Sequence, residues 1–284
     1  MANKSNKVSD HLVTWSELEG KVVLITGASS GFGWDFSVNL AKAGCKIIAA
    51  ARRLDRLETL CNLINKSSSS NTPLAVPLEL DISADPLVIE AAVQKAWTVF
   101  GYIDVLINNA GIRGTTSRTL KLSNEEWNKV LKINLEGTWL CSKYVGTRMR
   151  DAGRGGSIIN ISSIYGLNRV QGIGSVAYSS SKAAMHSLTT VMALEFGIHN
   201  IKVNAIVPSV FRSEITWGLY QKAWLRRVLD KLTPQPFFYD ATVDPSLTEL
   251  IRYLIHDSTK YVTGNIFIVD GGTSLAGVPI WSSL

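Results

Sequence analysis

The sequence predicts an α/β fold in which one doubly wound sheet of seven parallel strands is flanked by helices on both faces. Three observations lead there. Seven short runs, near residues 21–25, 46–51, 74–80, 105–108, 156–161, 202–207 and 265–269, are mostly unbroken Val, Ile, Leu and Ala. Such runs suit parallel strands buried on both faces. Between them lie helical patterns near 32–43, 54–65, 86–99, 124–150, 177–196 and 245–255, and strand–helix alternation implies right-handed crossovers on one sheet. The third observation is the turn between the first strand and the first helix, where Gly27, Gly31 and Gly33 recur as Gly-x-x-x-Gly-x-Gly.

Taken in order, residues 1–19 are polar and weakly patterned and are expected to form an N-terminal arm, with a single domain over 20–284. The glycine turn lets a pyrophosphate approach backbone N–H groups, and the helix that follows adds partial positive charge. Gly27, Ser29, Ser30, Gly31, Phe32 and Gly33 are therefore candidate cofactor contacts in a Rossmann-type domain. Their spacing departs from the commoner Gly-x-Gly-x-x-Gly. The second strand ends at Ala51, followed by Arg52 and Arg53. A carboxylate at position 51 would accept from a ribose 2′-hydroxyl and favour NAD. Alanine there, followed by a guanidinium able to pair with a 2′-phosphate, predicts NADP(H) instead. Ser29, Ser30 and Arg53 are the expected auxiliaries, and a solvated helix start is the plainer reading of Arg53. Residues 67–72 (Ser-Ser-Ser-Ser-Asn-Thr) read as a surface loop.

Composition narrows the class. Of 284 residues 46% are hydrophobic, enough for a large core. No apolar run reaches the roughly 18 residues of a membrane span. The chain shows no signal-peptide core, and Asp10, Glu17 and Glu19 precede the first arginine, Arg52, so a cytoplasmic protein with no membrane partner is expected. Cys45, Cys61 and Cys141 are odd in number and share no metal-ligand spacing, so reduced structural thiols and no metal site are expected. The net charge of +6 is dispersed along the chain without a basic tail, which argues against a nucleic-acid partner.

Tyr178 and Lys182 stand four residues apart in Val176-Ala-Tyr-Ser-Ser-Ser-Lys-Ala-Ala-Met185. On a helix that spacing shares one face. A phenol titrates near pH ~10, and a neighbouring ammonium would lower that value and make Tyr178 a usable general acid or base. Alone, a surface Tyr–Lys pair explains the spacing equally well, since Tyr144/Arg148 and Tyr165/Arg169 repeat it.

Seven pieces in order change that balance: residues 26–33 (Thr-Gly-Ala-Ser-Ser-Gly-Phe-Gly), Leu80-Asp-Ile82, Asn108-Asn-Ala-Gly111, Lys132-Ile-Asn-Leu-Glu-Gly137, Asn160-Ile-Ser-Ser163, Tyr178-x-x-x-Lys182 and Val269-Asp-Gly-Gly272. Together they resemble the short-chain dehydrogenase/reductase family over residues 21–275, and look most like the plant group labelled 3-oxoacyl-(acyl carrier protein) reductase-like. The resemblance implies that Asp81 and Ile82 contact the adenine, and that Asn108, Ala110 and Gly111 wall the cofactor cleft. It also implies that Asn134 interrupts its helix and frees a carbonyl for a proton relay, and that Ser163 is the catalytic serine, with Ser162 the alternative. After the sixth strand, Pro208-Ser209 replaces the usual Pro-Gly. Pro208, Val210 and Ser213 are then expected near the nicotinamide, Ser213 standing where threonine is common. A substrate lid is implied near 209–246, with Trp217, Tyr220, Trp224, Phe237 and Phe238 as candidate pocket walls.

The implied activity is hydride transfer between NADP(H) and a carbonyl or secondary-alcohol substrate, with acyl, terpenoid or steroid, and keto-sugar ketones as substrate classes. A catalytically silent NADP-binding interaction protein is the alternative. A homotetramer or homodimer is expected from the family's habit of pairing long helices.

Overall fold

The computed structural model describes residues 18–67, 72–169, 172–211, 214, 216, 223, 233, 243 and 245–275. Each apolar run folds as a strand: β1 (Val22–Thr26), β2 (Lys46–Ala51), β3 (Ala75–Glu79), β4 (Val105–Asn108), β5 (Gly156–Ile161), β6 (Ile201–Pro208) and β7 (Ile266–Val269). All pair in parallel in the order β3-β2-β1-β4-β5-β6-β7. The helices are α1 (Gly31–Lys42), α2 (Leu54–Lys66), α3 (Pro86–Phe100), α4 (Asn124–Leu131), α5 (Thr138–Asp151), α6 (Val176–Gly197) and α7 (Thr248–Ile255).

The side-chain period of two divides the core between the sheet's faces. Val23 and Ile25 face a cluster with Phe36 and Leu40 of α1, Leu57 and Leu60 of α2, and Ile251 and Leu254 of α7. Val22 and Leu24 face the opposite cluster, with Val93 of α3, Val145 and Met149 of α5, and Met192 of α6. Each such side chain, fully withdrawn from water, contributes about 1.5–3 kcal/mol. Cys45, Cys61 and Cys141 are free and buried, and burial pushes their thiols up to about 12.

Two features stand out against the pattern of elements. Leu18, assigned to the arm, is buried in the core beside α1, and its N–H donates to Ala43 O at 2.9 Å. The long helix expected over 124–150 is broken by a π-helical turn, Lys132–Gly137, between α4 and α5. Asn134 sits within it, and such turns often mark functional sites. The arm before Leu18 and most of the 209–246 lid, including its aromatic candidates, lie outside the described residues. No helix among the described residues is long and apolar enough to cross a membrane.

Candidate active site

From β1 the chain steps outward through β2 to β3, then crosses back to β4 on the other side of β1 and steps the opposite way, so the strand order reverses between β1 and β4. Ligands of doubly wound sheets bind at such a switch point, beyond the strands' carboxyl ends. A cavity of ≈ 440 Å³ opens there.

The glycine turn forms its floor. Gly27 has φ +69°, and a Cβ on it would fall 2.8 Å from Ala110 Cα. Gly33 is packed so closely that a Cβ would meet Gly27 O at 2.5 Å. Asn109 fixes this approach, donating Nδ2 to Thr26 O at 2.9 Å and Gly27 O at 3.2 Å. Thr26 Oγ1 in turn accepts from the N–H groups of Asn109 and Ala110, both at 3.1 Å. Gly27, Ser29, Ser30, Gly31 and Phe32 line the cavity. Gly33 does not; it is buried in α1, where it permits close packing. Asn108 also requires correction. It lies behind the wall, donating to Ser142 Oγ at 2.8 Å and Asn160 Oδ1 at 2.9 Å, and the residue facing the cavity is Asn109.

At one end stand Ala51, Arg52, Arg53, Asp81, Ile82 and Glu214. Asp81 Oδ1 accepts from Ser83 N and Oγ at 2.9 and 2.7 Å. Burial opposes ionisation of Asp81, but those bonds and the Arg52 charge hold its carboxyl below the usual range. Arg53 donates Nε to Ser29 Oγ at 3.1 Å and Nη2 to Ser30 Oγ at 2.7 Å. It also pairs with Glu214, which takes a second bond from Arg56 at 2.5 Å. Burial works against the Glu214 charge, and the bonds from Arg56 and Ser30 and the Arg53 charge outweigh it, so its carboxyl lies below the usual range.

At the other end, Ser163, Tyr178 and Lys182 line the cavity together. The extended backbone after β5 separates the two serines. Ser162 Oγ donates to Lys182 O at 3.1 Å and meets His186 Nε2 at 2.8 Å, so it is committed to α6. Ser163 Oγ accepts from Tyr165 N at 3.2 Å, which leaves its hydroxyl proton free to donate. Tyr165 itself packs edge-on to Tyr178, ring centroids 5.9 Å apart.

Lys182 is only 4% exposed; its Nζ donates to Ile161 O at 2.7 Å, and burial lowers its pKa to about 8. The expectation that Lys182 depresses the Tyr178 phenol is not met. Burial instead raises the phenol above its ordinary value, and the Ser163 hydroxyl and Arg113 charge pull it back only in part. Asn134, fully buried, does not reach the cavity. Its Oδ1 accepts from Ile112 N at 2.8 Å, and its Nδ2 donates to Ile112 O at 2.9 Å and Ser181 Oγ at 3.1 Å. Its carbonyl accepts from Thr138 Oγ1 at 2.9 Å. Ala110, Gly111, Pro208 and Val210 line the cavity, whereas Ser213 lies outside the described residues.

The family model for short chain dehydrogenases matches residues 21–224. The chain belongs to that family. It is therefore an oxidoreductase of the class that binds a nicotinamide cofactor. This short-chain dehydrogenase is 32% identical to the 3-oxoacyl-[acyl-carrier-protein] reductase of Thermotoga maritima over 90% of its own length and 98% of the relative's. Among solved structures it resembles a gluconate 5-dehydrogenase from Burkholderia cenocepacia in complex with NADP and tartrate (TM-score 0.83, 26% identity, 92% of this chain and 98% of that one). It also resembles a 3-ketoacyl-(acyl-carrier-protein) reductase from Brucella melitensis complexed with NADH (TM-score 0.77, 27% identity, 91% and 100%).

The residues of this short-chain dehydrogenase fit a dinucleotide. The floor is glycine backbone, cations stand at both ends, and the buried Ser209 Oγ at the cavity has no partner among the described residues. Sequence reasoning passed over Asn109, Arg113, Tyr165, His186 and Glu214. Asn109 lies inside the Asn108-Asn-Ala-Gly111 motif and Arg113 two residues beyond it, so both were within reach of it. Glu214 and His186 become visible only when distant segments meet.

Proposed function

We propose that this short-chain dehydrogenase transfers a hydride between NADP(H) and a carbonyl or secondary-alcohol substrate, working as a ketone reductase. The observation that supports it best is that one cavity joins Arg52, past a strand end without a carboxylate, to Ser163, Tyr178 and Lys182. Bound NADPH would supply the hydride. The glycine turn and Arg52 would hold its phosphates, and Lys182 Nζ would meet its ribose hydroxyls. Tyr178, kept as a neutral phenol by burial, donates its proton to the substrate oxygen as negative charge develops there. Ser163 donates a hydrogen bond to the same oxygen. Asn134 is a positioning residue acting through Ile112, and the second lone pair of its carbonyl serves the proton relay.

The choice of NADP(H) rests on Ala51 and Arg52, since solved relatives carry either cofactor. Their names favour an acyl or keto-sugar ketone over a terpenoid or steroid. The segment over 209–246, with Ser213, acts as the lid, and the enzyme works in the cytoplasm. An apolar groove across the π turn, α5 and α6, lined by Leu135, Trp139, Leu188 and Val191 among others, seats a second copy in a homodimer or homotetramer. Titration of NADPH fluorescence, followed by NADPH consumption with a panel of acyl, keto-sugar and steroid ketones, tests the reading. Enhanced fluorescence with turnover supports it. Binding without turnover on any ketone would return the silent cofactor-binding alternative.

A further inference from the structure

Arg113 is a cation at the catalytic end of the cavity for which the proposed reaction has no task. Its position is set by two neighbours. A Cβ on Gly111 would fall 3.7 Å from Lys182 Nζ, so the chain passes directly beside the catalytic lysine. Ile112, next in line, is held at both main-chain polar groups by buried Asn134. Arg113 thus leaves a fixed stem, partly buried, on the cavity wall.

Its charge is felt by Tyr178. Yet among the described residues no hydrogen-bond or salt-bridge partner accepts from Arg113. The cavity's carboxylates are engaged at the far end: Asp81 with Ser83, and Glu214 with Arg53 and Arg56. Withdrawing an unpaired guanidinium from water is unfavourable, so its retention beside the proton donor points to an anion that arrives with the substrate. A guanidinium offers a planar pair of donors matching a carboxylate.

We propose that Arg113 binds a carboxylate carried by the substrate, so that the preferred substrates are oxo acids (or, in reverse, hydroxy acids) rather than neutral ketones. This rests on the reading of Tyr178 as proton donor to the carbonyl. No chemical step is added: the ion pair orients the substrate and leaves hydride and proton transfer unchanged.

The test uses the full chain and a matched pair, levulinate and methyl levulinate, which share one ketone and differ in whether the acid is ionised or capped as a neutral methyl ester. Calorimetric titration of each into protein saturated with NADP⁺ reads binding without turnover, and NADPH consumption reads kcat/KM. Levulinate is expected to bind about tenfold tighter than its ester, and Arg113→Ala to abolish that preference while changing ester binding and NADPH affinity less than about twofold. Arg113→Lys, which keeps the charge without the fork, should recover part of the preference. Melting temperatures of both variants verify folding.

Equal binding of acid and ester by the wild type would overturn the proposal, as would equal loss of both in Arg113→Ala. Lost NADPH affinity in that variant would overturn it too, placing Arg113 on the cofactor. Arg113-dependent binding of levulinate without consumption of NADPH on either compound would uphold the carboxylate site and sink the reductase reading instead.

Discussion

Asn134 holds Ile112 by both main-chain polar groups, at 2.8 and 2.9 Å, from a π turn far away in sequence. The loop carrying Gly111 and Arg113 is thereby tied to α6 through Ser181. Asn134→Ala would leave a partly buried N–H and C=O unmatched, at about 1–3 kcal/mol. Urea unfolding should show that loss, and kcat should fall more steeply than cofactor affinity. Unchanged stability would mean that the loop is held by something else.

Glu214 neutralises Arg53 and Arg56 at the end of the cavity where Arg52 stands. Both pairs are about half exposed, so they are individually weak, but a 2′-phosphate would compete with this carboxylate for the same guanidinium groups. Arg52→Ala is expected to raise the KM for NADPH about tenfold, equivalent to about 1.4 kcal/mol, with little effect on NADH. Glu214→Gln should move NADPH affinity the opposite way, tightening it a few fold. Equal effects on both cofactors would remove the basis for choosing NADP(H).

Ser162 and Ser163 are adjacent, yet one is bonded into α6 and the other turns its hydroxyl toward Tyr178. Tyr178→Phe should lower kcat about a thousandfold while NADPH binding persists. Ser163→Ala should lower kcat with the fold intact. Ser162→Ala should chiefly lower the melting temperature, through the lost links to Lys182 and His186. An activity loss confined to Ser162→Ala would exchange the two assignments.

The fold was legible because each strand is a nearly unbroken aliphatic run and each crossover a helical pattern; β2, β4 and β5 fall at their expected bounds. The site was legible where chemistry is local. The turn at 27–32 needs its glycines in sequence, and Tyr178 and Lys182 need only one helical turn. What stayed hidden depends on distant partners. Alternation along a strand end does not say whether Asn108 or Asn109 faces the cavity, and only the contacts of Asn108 with Ser142 and Asn160 decide it. The Tyr178 phenol departs from expectation because burial, which periodicity does not measure, outweighs the Ser163 hydrogen bond and the Arg113 charge that pull it down.

Burial lowers the Lys182 pKa from 10.5 to about 8. The folded protein therefore prefers neutral lysine, whereas the unfolded chain keeps its proton up to about pH 10.5. Below pH 8 both states are protonated and the burial penalty is fully present. Between about pH 8 and 10.5 the unfolded state binds more protons, so this group's contribution to stability rises with pH. The three cysteines, pushed up to about 12, act in the opposite sense above pH 9. The quantity to measure is thus the unfolding free energy of the wild type minus that of Lys182→Met, in which Lys202 and the thiols are common. That difference should shift in favour of the wild type by about 2–3 kcal/mol across the window. A flat difference would mean that Lys182 is charged throughout.

The groove over α5 and α6 supplies the last prediction. Trp139 is 44% exposed and Val191 48%, on facing helices, with Leu135 and Leu188 beside them. Large apolar side chains grouped in this way mark interaction surfaces, and a symmetric dimer presents the same patch twice. Light scattering should give two or four times 31.0 kDa. Val191→Arg would set like charges against each other across the dyad, and should reduce that mass while sparing the cavity, which lies on other residues. A wild-type mass of 31.0 kDa at micromolar concentration would leave the groove without the proposed second copy.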